Sequence, residues 1–161
     1  MLKTAQIPLT LWIVSMFIVS NSSPAAQLPG PHGGKVLKSG KVTIEFTIDN
    51  DEHPHIFRLD KKREAVALDG MKITLKALIQ KKSVAISLTR TTEGLGTDTG
   101  EVEHLAGSSP MPGPDEYPVE ITVRLGKSVK KIRFQFMEGF CAECGLPSFS
   151  CTCPETKEDP E

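Results

Sequence analysis

Residues 41–49, KVTIEFTID, alternate without a break. Val42, Ile44, Phe46 and Ile48 fall on one parity, and Thr43, Glu45 and Thr47 on the other. Successive side chains of an extended chain point to opposite faces, so this pattern predicts a half-buried β-strand. The core parity is filled by β-branched and aromatic residues, which suit a pleated surface. The acidic, Pro-containing stretch DNDEHP (49–54) ends the strand in a turn.

Working outward, the two-residue period returns in HIFRLD (55–60), MKITLKALI (71–79), SVAISLTRT (83–91), VEITVRL (119–125) and VKKIRFQF (129–136). Asp69-Gly70 and Gly126-Lys127 are turn signals, the second joining the last two strands as a hairpin. Between 92 and 116 the chain is rich in Gly and Pro, and only EVEHLAG (101–107) can add a short strand. No segment carries a helical period. Six to eight short, mostly antiparallel strands with regularly spaced turns define an all-β fold, a small β-sandwich or open barrel over 41–138. Residues 27–40, QLPGPHGGKVLKSG, read as an extended Gly/Pro-rich lead-in, and 139–161 as an irregular Cys-rich tail appended to a finished domain.

The N-terminal segment has Lys3, an apolar run from Leu9 to Val19 and small residues at 23–26. The run is shorter than the roughly 20 residues needed to span a bilayer. It reads as a cleavable secretory signal over 1–26, which places the mature chain in the periplasm or outside the cell with no membrane span. The mature length of about 135 residues suits a single domain. A formal net charge of −1, without a basic patch, argues against nucleic acid as a partner.

All four cysteines lie in CAECGLPSFSCTC, as C-x2-C-x6-C-x-C. Cys141 and Cys144, with Gly145 behind them, have the form of a zinc knuckle, a tight turn whose amides point at the first sulfur. Four thiolates at this spacing can close a tetrahedral site for Zn, and soft sulfur also suits Cu. An oxidising compartment equally permits two disulfides among Cys141, Cys144, Cys151 and Cys153. A ring between Cys151 and Cys153 would be strained, leaving the nested and crossed pairings. A second, weaker set of candidates is imidazole-based. His53 and His55 share one side of an extended chain within an acidic turn, and His32 sits between Pro31 and two glycines. His104, in EVEHLAG, is a lone histidine without local partners and reads as exposed.

Metalloprotease, hydrolase, Walker and dinucleotide-binding motifs are missing, and the chain is expected to be non-catalytic. Its partners are then a metal ion and, alternatively, an envelope protein met through a sheet edge or the 92–116 loop, with the tail stapled by disulfides.

Pro31-His32-Gly33-Gly34, Glu45 in the following strand, the charged turn at Asp60-Lys61 and the closing strand pair together resemble small exported P-H-G-G domains. Such domains also occur at the N-terminus of periplasmic heavy-metal efflux adaptor proteins. The resemblance covers about residues 30–136. It implies a bacterial cell-envelope β-domain concerned with metal handling, with His32 and Glu45 as ligands. Relatives often place histidines just before that Glu, whereas Val42, Thr43 and Ile44 stand here. The helical hairpin and further domains of an adaptor are missing, and the cysteine tail lies outside the resemblance.

Overall fold

A computed structural model describes residues 28–92, 102–113, 116–151 and 153. The expected signal segment, part of the 92–116 loop and the acidic end after Cys153 lie outside them. The described residues form ten strands: β1 (Lys35–Ser39), β2 (Val42–Ile48), β3 (Pro54–Leu59), β4 (Ala65–Val66), β5 (Met71–Ile79), β6 (Lys82–Ile86), β7 (Leu88–Thr91), β8 (His104–Gly107), β9 (Glu116–Leu125) and β10 (Ser128–Met137). They build two antiparallel sheets. One runs β1-β2-β3-β8-β7, with β4 paired to β3, and the other runs β10-β9-β5-β6.

The core forms where the inward parities meet. Ile44, Phe46 and Ile48 of β2 and Ile56 of β3 pack against Ile73 and Leu75 of β5, Val119 and Ile121 of β9, and Phe134 and Phe136 of β10. These residues follow the alternation of the sequence. Val84 departs from it: it is paired with the buried Ala77, but β6 is the sheet edge and Val84 is exposed. The β5–β6 hairpin turns on Gln80 and Lys81, both in the left-handed region (φ 48° and 65°), which a two-residue turn of this hand requires. Only Ser87 separates β6 from β7, so the chain crosses there from one sheet to the other.

Two sequence expectations change. First, the lead-in is part of the domain: Lys35–Ser39 forms β1, in register with β2 from Lys35 opposite Phe46 to Ser39 opposite Val42. Second, β2 is not half-buried, because Glu45 and Thr47 on its outer parity are as inaccessible as Ile44 and Phe46. The P-H-G-G loop folds back over that outer face. Gly34 permits it: a Cβ there would lie 2.7 Å from Thr47 Cβ, closer than two carbon atoms can approach. Val36, Phe57 and Leu59 make a small second apolar cluster beneath the loop.

Candidate metal centre

After β10 the chain turns at Gly139 (φ 83°) and runs into the cysteine segment. Phe140 bridges Pro147 in antiparallel fashion. Inside that bridge the Cys141 amide donates to the Leu146 carbonyl (2.8 Å) and the Gly145 amide to the Cys141 carbonyl (2.8 Å). Gly145 takes φ 69°, which reverses the chain without a Cβ penalty. A single 3-10 turn, Ser148–Ser150, then returns the chain to Cys151.

The fold of this loop brings together all four cysteines. Their sulfurs lie within 4.8 Å of one another, and none is in a disulfide. Cys144 Sγ and Cys151 Sγ are 3.7 Å apart, and Cys141 Sγ and Cys153 Sγ 4.0 Å. Four sulfurs bound to zinc at about 2.3 Å in a tetrahedron stand about 3.8 Å from each other, so the spacing fits that ion. A disulfide needs about 2.05 Å. Among the described residues, this is the one group of three or more His, Cys, Asp or Glu side chains whose ligand atoms converge in this way.

The electrostatics are those of a knuckle. The Cys144 amide, then the Cys151 thiol and the Glu143 amide, favour the charged form of Cys141 and bring its pKa down to about 7. The Cys153 amide donates to Cys151 Sγ at 3.3 Å. That contact works to lower the Cys151 pKa, but the Cys141 sulfur and burial outweigh it and the net shift is upward. Cys153 is raised chiefly by its Cys151 neighbour. The charged form of Cys141 is thus favoured, and it is the thiolate form of cysteine that holds a cation.

The tail is not an appendage. Phe149, carried by the 3-10 turn, is buried in the main core. Its ring stacks on Phe136 (centroids 5.2 Å) and meets Phe46 edge-on (5.2 Å). Ser150 Oγ lies 3.0 Å from both the Gly33 and the Pro147 carbonyls, which share its one proton, and Lys35 Nζ donates to the Phe149 carbonyl at 3.0 Å. The available sequence signal was Phe149 itself, a lone large apolar residue in a polar segment.

The imidazole candidates occupy the outer face of the six-stranded sheet, but as separate pairs. His32 Nδ1 meets Glu45 Oε2 at 2.8 Å, and the amides of His32 and Gly34 both donate to Glu45 Oε1, at 2.9 and 2.8 Å. His53 and His55 each approach Asp49 Oδ2, at 3.5 and 3.3 Å. The Phe57 ring stands between the two groups: His32 stacks on it at 3.8 Å, and His104 stacks on it at 4.4 Å. His32, Glu45, His53 and His55 therefore do not gather at one centre.

His104, expected to be exposed, is buried. Its Nδ1 faces the Val102 carbonyl at 2.9 Å and its Nε2 faces His55 Nδ1 at 3.1 Å. The carbonyl can only accept, so His104 carries its proton on Nδ1, and His55 donates to the free His104 Nε2. A neutral His55 then has no proton left for Asp49. Burial lowers the pKa of both histidines, and at His55 the Asp49 hydrogen bond opposes that shift. The sequence held no sign of this packing, because the His104 parity faces away from the main core and its cover is the rings of Phe57 and His55 from the neighbouring strand.

No family model, curated protein or solved structure matches the chain. Among the described residues, no helix is long and apolar enough to cross a membrane.

Proposed function

We propose that this chain is an exported, non-catalytic β-domain of the bacterial cell envelope that binds one soft transition-metal ion, zinc before copper, through Cys141, Cys144, Cys151 and Cys153. The observation that carries this reading is the convergence of four sulfurs within 4.8 Å at near-tetrahedral spacing. The P-H-G-G resemblance supports a setting in metal handling, with His32 and Glu45 bracing the fold. The test is a titration of the reduced protein with Zn(II), and separately with Cu(I), against a chromophoric chelator, with thiols counted before and after. One ion per chain and protection of all four thiols is the expected result. Failure to take up either ion, with four reactive thiols, overturns it.

A second reading is favoured by the pairing of the closest sulfurs, Cys144 with Cys151 and Cys141 with Cys153. Oxidation along these contacts gives two nested disulfides and a metal-free interaction module. Intact mass under non-reducing conditions separates the two: loss of four hydrogens without a metal adduct marks the disulfide form.

A further inference from the structure

The sulfur site and the P-H-G-G loop are remote in sequence, with Gly33 and Ser150 117 positions apart. Here they touch. Cys144 and Cys151 bracket a loop whose middle drives Phe149 between Phe46 and Phe136. From the same turn, Ser150 Oγ holds the Gly33 carbonyl, and Lys35, next along from the loop, holds the Phe149 carbonyl. Gly33 is also against Leu146, whose Cδ2 would lie 3.3 Å from a Cβ placed there. The loop so held is the one whose His32 and Gly34 amides close on buried Glu45.

Drawing four sulfurs onto one ion fixes the ends of the segment that carries Phe149 and Ser150. Without the ion, the segment is held by the packing of Phe149 and a few hydrogen bonds and bridges, and local opening of so short a segment costs less than opening the sheets. We propose that metal capture at Cys141, Cys144, Cys151 and Cys153 and closure of the Gly30–Gly34 loop over Glu45 are one coupled equilibrium, transmitted by Phe149 and Ser150. Phe149 and Ser150 are then positioning residues for the metal, although neither offers it a ligand. The His32–Glu45 pair becomes a metal-responsive element. Coupling of this kind is reciprocal: whatever factor the ion contributes to loop closure, loop closure contributes to ion affinity. The inference rests on the metal reading above.

The experiment is zinc titration of the reduced full chain and of Phe149→Ala, Phe149→Leu and Ser150→Ala, combined with amide hydrogen exchange. In the parent chain, zinc slows exchange at the His32 and Gly34 amides, and Cys144→Ser abolishes that slowing. Phe149→Ala weakens zinc binding about 10- to 100-fold, within the usual range of coupling between sites, and Ser150→Ala about 5-fold. Phe149→Leu keeps an apolar anchor and falls between parent and Ala, so it serves if the Ala chain does not fold. A purely structural role for Phe149 would lower the melting temperature equally with and without zinc and leave Kd unchanged. Zinc bound at one per chain, with unchanged exchange at His32 and Gly34 and parent-like Kd in the variants, overturns the coupling and leaves the metal site standing. Absence of zinc binding removes both.

Discussion

Replacing Glu45 by Ala tests the reasoning about the outer face most directly. The Glu45 carboxyl group is fully buried and receives three hydrogen bonds from the loop, two from amides and one from the His32 ring. Truncation leaves two backbone N–H groups and an imidazole without their acceptor. Each unsatisfied buried donor costs about 1–3 kcal/mol, and breaking one side of a buried ionisable pair typically costs about 3–5 kcal/mol. Partial entry of water beneath the loop relieves some of this, so the expected loss is about 3–5 kcal/mol. That is a large share of the roughly 5–15 kcal/mol that holds a domain together. Thermal unfolding followed by far-UV circular dichroism should show a fall of about 10–20 °C. Glu45→Gln retains an acceptor for the two amides and should lose less, about 1–2 kcal/mol. A loss below about 1 kcal/mol for Glu45→Ala would refute the reasoning, since it would mean that the loop donors had never depended on the carboxyl group.

Other expectations follow from single residues. Tyr117 is buried and its hydroxyl finds no partner among the described residues, so Tyr117→Phe should raise stability by about 1 kcal/mol in urea unfolding; a loss of that size would reveal a bond to the hydroxyl. At the β5–β6 turn, Gln80→Asn with Lys81→Gly removes the strain of two side chains at positive φ and should add about 1 kcal/mol, read from the shift in urea midpoint. For His55, burial is the leading cause of a pKa below its ordinary 6.5, with the Asp49 hydrogen bond opposing. The unfolded chain therefore takes up this proton first, and the His55 contribution to stability is present above pH 6.5 and lost as pH falls below it. Asp49→Asn should push the His55 pKa lower still, followed by the NMR shift of its ring protons. A rise in that variant would contradict the role of Asp49, which accepts a hydrogen bond from the charged form of His55 and so favours it.

How far the sequence could be read depended on what lay above each strand. Inward parities such as Val119, Ile121 and Val123 announce themselves because the opposite parity of β9 is polar, and the Gly126 turn fixes the hairpin locally. Four cysteines in thirteen residues likewise bring their sulfurs together through short loops, so the candidate ligand set was visible. Glu45, His55 and His104 were opaque for the opposite reason. Glu45 is covered by the P-H-G-G loop, His55 and His104 by each other, and His104 also by the Phe57 ring. Polar side chains at alternate positions look the same whether water or protein lies above them. Phe149 is a contact between distant parts of the chain, and no local period encodes it.

The bond between Ser150 and Gly33 has a consequence for synthesis. The Gly33 loop, which precedes β1, waits for a partner made only after all the described strands. A chain cut short before Phe149 can pair its strands. It will still keep a cleft open beside Phe46, leave the Gly33 carbonyl without Ser150 and hold Lys35 without its acceptor. The contact between Ser150 and Gly33 thus distinguishes a chain that extends through the 3-10 turn from one that stops before it.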